Sequence, residues 1–431
     1  MMTFNKTSED FLKPNTSFFL ATLGCKVNQS ESEELFYALV EAGLISATSL
    51  REAEIVFVNS CAVTAEAEAK TRKLITRALR AGAKKVVVLG CAAMLTAEKM
   101  KLRQETDKEK IIYLDNWQKV ILLNFLKDKF LIGKVTIPYS GLRTRAFLKI
   151  QDGCNQRCSY CIVPLVRGRE KSLPHSEIMR KLELLENLGI REVVLAGIHL
   201  GRYRSPEDNN FDLPVLLEEI ASKFSFRVRL SSIDIFELSE RFVETIAKLK
   251  STVCPHLHLP LQSGSDRILK LMGRPYTSTM FLEKVAYLRS KLSPIALSTD
   301  VMVGFPTETD EDFEATITVI EKVGFMKLHV FRYSERPETK AVTFKPKVPV
   351  PVARKRETIL LELSNALQDR FLRSLDGQQA TALIEEIENG VARGKTEYYV
   401  DVKIHDEVEI NKLYPVKIKY SQGNLTGEVR K

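Results

Sequence analysis

Three cysteines crowd into one short run, Gly153-Cys154-Asn155-Gln156-Arg157-Cys158-Ser159-Tyr160-Cys161. Thiolates at the spacing C-x-x-x-C-x-x-C reach a single soft inorganic centre, and an iron–sulfur cluster is the polynuclear centre they suit. Zinc is the competing reading. It is usually held by four ligands in paired C-x-x-C form, and no second pair follows in this chain. A four-iron cubane takes four cysteines, so three leave one iron open to a substrate or cofactor. A second trio is dispersed. Cys25, Cys61 and Cys91 close the runs Leu23-Gly24-Cys25, Asn59-Ser60-Cys61 and Leu89-Gly90-Cys91, each behind a short apolar stretch. In open α/β sheets, ligands bind beyond the carboxyl ends of the strands. Parallel pairing of the three stretches would bring these cysteines to one edge, as a second three-thiolate site with an open iron. A single free cysteine is commonly a small buried hydrophobe. Three at equivalent strand ends are not accounted for in that way, whereas Cys254 belongs to neither trio and is expected in a core.

The elements that must carry these residues are legible from periodicity. Apolar strands are expected at Phe18–Leu23, Ile55–Asn59, Val86–Leu89 and Ile111–Leu114, with helices at Glu31–Ala42 and Ala65–Ala81 between them. That alternation predicts a small parallel sheet. Residues 118–142 read as a connector, punctuated by the turn Pro138-Tyr139-Ser140-Gly141. From Ala146 onward six strand–helix units follow, fewer than the eight of a closed barrel. A basic segment (Arg336, Lys340, Lys345, Lys347, Arg354, Lys355, Arg356) leads into a helix at Val352–Arg373. Five short strands then end the chain: Gln379–Glu386, Tyr398–Ile404, Val408–Ile410, Leu413–Tyr420 and Asn424–Arg430. Such a run suggests a small barrel of oligonucleotide-binding type. The expected domains are 1–140, 141–371 and 372–431.

With 431 residues, 44% hydrophobic and 28% charged, the chain can fill the cores of two or three domains. No apolar run approaches the ~18 residues of a membrane span, and the N-terminus has no basic segment leading into a long apolar one. A cytoplasmic protein with reduced thiols is the expectation. The net charge of +9 suits a polyanionic partner, nucleic acid rather than membrane.

The loop at 153–161 resembles the cluster loop of the radical S-adenosylmethionine (SAM) superfamily. The runs at 22–35, 57–73 and 88–93 resemble the N-terminal domain of its methylthiotransferase family. The resemblance covers nearly the whole chain. It implies a partial (β/α)6 barrel, a C-terminal TRAM-like barrel, SAM, and two 4Fe-4S clusters, one on Cys25, Cys61 and Cys91 and the other on Cys154, Cys158 and Cys161. It also implies transfer of a methylthio group to an unactivated carbon. Tyr160 would sit beside the adenine, Ala196 and Gly197 would meet the SAM amino group through their backbone, and Gln262 and Ser263 would reach the ribose and carboxylate. Val303 and Gly304 would line the adenine side. The chain departs from the family at Thr307 and Glu338, where glycines are usual, and it lacks the acidic residue expected beside Gly197. Asn28 and Asn59, beside the first trio, either hydrogen-bond cluster sulfur or substrate or cap the turns that follow. Arg167, Gly168 and Arg169 contact phosphate or the SAM carboxylate or lie in a solvated loop. The run Gly24-Cys25-Lys26-Val27-Asn28-Gln29-Ser30-Glu31 is most similar to the branch acting on N6-threonylcarbamoyladenosine beside the tRNA anticodon, on carbon 2. The branches acting on isopentenyladenosine in tRNA and on a ribosomal-protein aspartate are the alternatives, and a non-catalytic RNA-binding iron–sulfur protein is one from another class. An electron donor and a sulfur source are required by the chemistry, and no DNA partner is expected.

Overall fold

Strands rich in Val, Ile and Phe form the first sheet. The computed structural model describes residues 12–101, 109–130 and 143–430. They fall into two units, one within Met1–Leu142 with Phe147–Gln156 and Cys161–Glu170, the other Arg143–Ala146 with Arg157–Tyr160 and Lys171–Lys431. In the first unit the order is β1 (Ser17–Thr22), α1 (Lys26–Glu41), β2 (Ile45–Ser46), β3 (Ile55–Ser60), α2 (Ala65–Arg80), β4 (Lys85–Gly90), α3 (Ala93–Lys101), β5 (Ile111–Leu114) and α4 (Asn116–Phe130). The strands form one parallel sheet in the order β2-β1-β3-β4-β5. Side chains alternate across a strand. Ile55 and Phe57 therefore enter a core with Leu35, Leu39 and Leu122 on one face, and Val56 and Val58 meet Ile75 and Ala78 on the other.

The first unit departs from expectation at two places. Helix α1 starts at Lys26 rather than Glu31, directly after Cys25. Half of the expected connector at 118–142 is helix α4. The signals are a reciprocal cap, in which Gln118 N donates to Asp115 Oδ1 (2.8 Å) and Asp115 N to Gln118 Oε1 (3.1 Å), and burial of Lys119, Leu122, Leu123 and Leu126 on one face. The turn expected at Pro138–Gly141 lies outside the described residues.

Four short elements come next: β6 (Arg145–Lys149), β7 (Gln151–Asp152), α5 (Val163–Arg167) and β8 (Lys171–Ser172). The second unit then runs α6 (His175–Asn187), β9 (Glu192–Ala196), α7 (Leu213–Lys223), β10 (Arg227–Leu230), α8 (Glu240–Lys248), β11 (His256–His258), α9 (Asp266–Met272), α10 (Ser278–Lys291), β12 (Ala296–Val303), α11 (Asp310–Val323), β13 (Lys327–Arg332) and α12 (Val350–Ser374). Strands β9 and β10 pair in parallel, as do β11, β12 and β13, and bridges Val228–Val253 and Ser232–His258 continue the order from β10 to β11. Counting β6, six strands each lead towards helix, the partial barrel expected.

Strands β14 (Gln379–Glu388), β15 (Val391–Thr396), β16 (Asp401–Ile404), β17 (Leu413–Ser421) and β18 (Asn424–Val429) close a small barrel in the order β14-β15-β16-β18-β17. The expected strand at Val408–Ile410 is absent from this barrel, and Val391–Thr396 takes its place. The latter buries Ala392, Gly394 and Thr396 in alternation, and of these Ala and Gly carry little strand signal. Gly394 is needed because a Cβ there would stand 2.4 Å from the Leu383 carbonyl oxygen. The small barrel is fastened to the rest of its unit by two buried arginines. Arg227 donates to the carbonyls of Thr381 (2.7 Å) and Lys395 (2.8 Å), and Arg229 to those of Glu397 (3.0 Å) and Thr396 (3.2 Å). Glu192, fully buried, accepts from both at 2.5 and 2.9 Å.

Candidate cluster and cofactor sites

The register of the first sheet decides where its cysteines fall. Thr22 pairs with Asn59, and Ser60 with Gly90. The residues that follow therefore leave β1, β3 and β4 at one carboxyl edge, and Cys25, Cys61 and Cys91 are gathered there. Gly24 has φ +98°, and a Cβ on it would come 2.8 Å from Cys61 Sγ, so only glycine brings the two chain ends this close. Burial pushes the Cys61 thiol up to about 12; Cys25 and Cys91 nearby add to the rise and Arg167 opposes it. Asn28 and Asn59 tie the edge together. Asn28 Nδ2 donates to the carbonyls of Leu23 (2.8 Å) and Ser60 (2.9 Å), and Asn59 Nδ2 to the Asn28 carbonyl (2.9 Å) and Ser32 Oγ (3.0 Å).

Arg167 is neither in a solvated loop nor facing an external anion. Its side chain is 1% exposed. Nε donates to Cys91 Sγ (3.2 Å), Nη1 to Asp152 Oδ1 (2.9 Å) and Glu31 Oε1 (3.1 Å), and Nη2 to Glu31 Oε2 (3.2 Å) and Asn28 Oδ1. Lys119 meets Glu31 at 2.6 Å, and Lys149 meets Glu31 at 2.8 Å and Asp152 at 3.2 Å. Burial alone would raise the Glu31 carboxyl, but Arg167, Lys119 and Lys149 outweigh it and hold the group well below the usual carboxylate range. Three cations against two carboxylates leave one positive charge beside Cys91, which suits an anionic cluster ligated by thiolates. Asn116 Nδ2 adds a second donor to Cys91 Sγ at 3.4 Å. Ile162 and Val166, which follow Cys161, pack with Ala62, Ala92 and Cys91. Sequence reasoning singled out Arg167 but missed Glu31, Lys119, Lys149 and Asp152. A lysine interrupting the apolar run Ala146-Phe147-Leu148-Lys149-Ile150 was the available signal.

Around the cluster loop, Gly153 has φ +72° and a Cβ would come within 2.0 Å of the Arg169 carbonyl oxygen. Cys154 N donates to the Gly168 carbonyl (3.1 Å) and Cys154 Sγ accepts from Gln156 N (3.4 Å). In the second unit Cys158 Sγ accepts from Arg274 Nη1 at 3.5 Å, and Arg274 is itself ion-paired to Asp234. His199 meets Asp234 at 3.2 Å and Glu237 at 2.9 Å. Ser159 is pinned on both sides, its N to the Met272 carbonyl (2.9 Å) and its own carbonyl to Ala341 N (2.8 Å). That sets Tyr160 against Ile268, Met272, Met302, Phe305 and Ala341.

The remaining cofactor candidates lie at strand ends of the second unit. Ala196 ends β9, and Gly197 N donates to Ser231 Oγ (3.2 Å). Gln262 follows β11 in the left-handed region (φ +62°), held by backbone bonds to Asp300 (2.8 Å) and Met302 (2.9 Å). Its Oε1 is buried and has no hydrogen-bond partner among the described residues. A buried polar atom is rarely left so, and a SAM hydroxyl or ammonium group fits it. Ser263 is fully buried, and its hydroxyl is engaged with Thr316 Oγ1 (3.3 Å) and Ser265 N (3.2 Å). Val303 ends β12 with its carbonyl bonded to Tyr333 N (2.8 Å). Gly304 has φ +72°, donates from its N to Glu308 Oε2 (2.7 Å), and would bring a Cβ to 2.7 Å from that of Ala353. The two positions where family glycines are replaced both have left-handed backbone, with φ +72° at Thr307 and +61° at Glu338.

Comparison with known proteins agrees with this geometry. Residues 148–320 match the radical SAM superfamily and residues 17–112 the uncharacterized protein family UPF0004. The threonylcarbamoyladenosine tRNA methylthiotransferase MtaB of Chlamydia pneumoniae is 36% identical, the alignment covering 96% of this chain and 98% of that one. Its counterpart from Aquifex aeolicus is 33% identical, covering 92% and 98%. The tRNA-2-methylthio-N(6)-dimethylallyladenosine synthase of Thermodesulfovibrio yellowstonii is 32% identical, covering 95% and 98%. Among solved structures, the radical SAM methyltransferase TsrM from Kitasatospora setae shares the fold with a TM-score of 0.51 at 14% identity, covering 88% of this chain and 80% of that one. The chain belongs to the radical SAM methylthiotransferase family. Membership in that superfamily brings SAM and a 4Fe-4S cluster as cofactors.

Proposed function

We propose that this enzyme adds a methylthio group to carbon 2 of N6-threonylcarbamoyladenosine beside the tRNA anticodon, using two 4Fe-4S clusters. Cys154, Cys158 and Cys161 hold the cluster that binds SAM, and Cys25, Cys61 and Cys91 hold the second. Together the bound cofactors supply hydrogen-atom abstraction from an unactivated C–H bond and delivery of sulfur to that carbon. The protein's part is placement. Arg167 and Asn116 orient Cys91, Arg274 orients Cys158, Tyr160 offers an apolar wall, and Gln262 offers a buried acceptor. The observation that carries the reading is the second trio on the carboxyl edge of the first sheet, next to a surplus positive charge. The choice of threonylcarbamoyladenosine is supported by the names of the relatives from Chlamydia pneumoniae and Aquifex aeolicus, while a dimethylallyladenosine enzyme also resembles this chain at 32% identity.

The test is to reconstitute the protein anaerobically and offer it tRNAs bearing either the threonylcarbamoyl or the isopentenyl modification. Nucleoside mass spectrometry should find the methylthio product on the threonylcarbamoyl form. Turnover only on the isopentenyl form overturns the substrate and keeps the chemistry. Modification of a ribosomal protein instead overturns the RNA reading.

A further inference from the structure

Helix α2 leaves the edge that carries the cysteine trio, its first residue Ala65 following four positions after Cys61. One side of it is packed, with Thr71, Ile75 and Ala78 buried. The opposite side is a stripe of cations. Residues 70–85 contain seven Lys and Arg and no Asp or Glu. Four of the seven are engaged: Lys70 with Glu66 (2.8 Å), Arg72 with Glu68 (3.6 Å), Lys84 with Glu54, and Lys85 with the Glu109 carbonyl (2.7 Å). The other three, Lys73, Arg77 and Arg80, are exposed and have no ion-pair or hydrogen-bond partner for their side chains among the described residues. At i, i+4 and i+7 they share one face and span ~10 Å of helix axis.

Like charges at this spacing repel one another by a few tenths of a kcal/mol per pair. The helix dipole offsets this for Arg77 and Arg80 in the last turn but not for Lys73, since its effect fades within one turn. An anion that satisfies all three must itself be extended and repeat its charge. We infer that this face of α2 binds backbone phosphates of the RNA substrate, on the strand that leads to the base presented at the trio. The inference rests on the tRNA reading given above. The other basic segment is a weaker candidate. Arg336 and Arg356 are buried, Arg356 is ion-paired to Glu308 and Asp310, and Lys347 is bonded to the Ala341 and Val342 carbonyls and paired to Glu335.

The test is to measure the affinity of the full-length reconstituted protein for threonylcarbamoylated tRNA between ~50 and ~200 mM salt. Each phosphate left without its cation should reduce the slope of log affinity against log salt by about 0.7–0.9. The variant K73Q/R77Q/R80Q should therefore lose about 2–2.7 of slope, with SAM cleavage and iron content unchanged. Single variants K73Q and R80Q should each lose about a third of that, which keeps the test valid if the triple variant folds poorly. A control with the same change of net charge, K248Q/K250Q/K291Q, should keep the wild-type slope. An unchanged slope in the triple and single variants overturns the inference, and so does an equal loss in the control. If the wild type itself shows no salt-dependent affinity for tRNA, or prefers an acidic protein, the tRNA reading falls and takes the inference with it.

Discussion

Replacing Arg167 by leucine tests the buried ion network most directly. The side chain donates to Cys91, Asp152 and Glu31 at 2.9–3.2 Å, and also meets Asn28. Its removal turns a set of three cations and two carboxylates into two of each, and leaves Asn28 Oδ1 and Cys91 Sγ without that donor. Breaking a buried pair by removing one partner costs about 3–5 kcal/mol. The two lysines remain to compensate Glu31, so we expect a loss near the lower figure, about 3 kcal/mol, in urea unfolding followed by circular dichroism at neutral pH. The pH dependence supplies the second readout. Glu31 has a depressed pKa in the folded protein, so its stabilisation is complete above the unfolded-state value of about 4.3 and is lost as pH falls through the folded value. In the variant the depression is smaller, and the gap between wild type and variant should be widest at neutral pH and narrow below about pH 5. Arg167→Lys should recover part of the stability but not the donor geometry at Cys91. A loss under about 1 kcal/mol, or a gap that does not change with pH, would refute the reasoning.

Cys158→Ala should lower iron from about eight to about four per chain and abolish SAM cleavage, whereas Cys61→Ala should lower iron equally but keep SAM cleavage while the methylthio product disappears. Iron analysis and 5′-deoxyadenosine formation distinguish them, and Cys61→Ala retaining both activities would mean a structural thiol. Glu192→Gln should cost about 3–5 kcal/mol in urea unfolding, because Arg227 and Arg229 stay buried without their carboxylate; a loss under about 1 kcal/mol would contradict that account. Glu338→Gly should raise stability by about 1 kcal/mol, since glycine relieves the left-handed backbone there. Thr307→Gly should gain less, because it removes the Thr307 Oγ1 bond to Arg267 (3.2 Å). Destabilisation by Glu338→Gly would show that the position carries no strain.

What the sequence made legible was what local pattern and topology dictate. Apolar stretches ending in Leu-Gly-Cys or Asn-Ser-Cys announce parallel strands, and parallel pairing forces their carboxyl ends to one edge. The loop at 153–161 was legible because its three cysteines are neighbours in sequence. The glycine replacements at 307 and 338 were also readable as sites of backbone demand. The role of Arg167 was not, since its partners Asn28, Glu31, Cys91 and Asp152 come together only when the sheet and the segment after Cys161 have folded. Strand Val391–Thr396 was missed for another reason. Its inward positions are Ala, Gly and Thr, of which Gly394 is demanded by close backbone approach, and the apolar alternation that marks a strand is absent. At 118–142 the helix is announced by a polar cap, Asp115 with Gln118, ahead of a leucine-rich face, a weaker signal than the turn residues that follow it.

The attachment of the small barrel has an evolutionary corollary. Arg227 and Arg229 grip main-chain carbonyls of residues 381, 395, 396 and 397, and a carbonyl is supplied by any amino acid. The terminal barrel can therefore exchange its outward side chains freely without loosening the joint. Sequence divergence should concentrate on that outer surface, while the two arginines and Glu192 stay fixed.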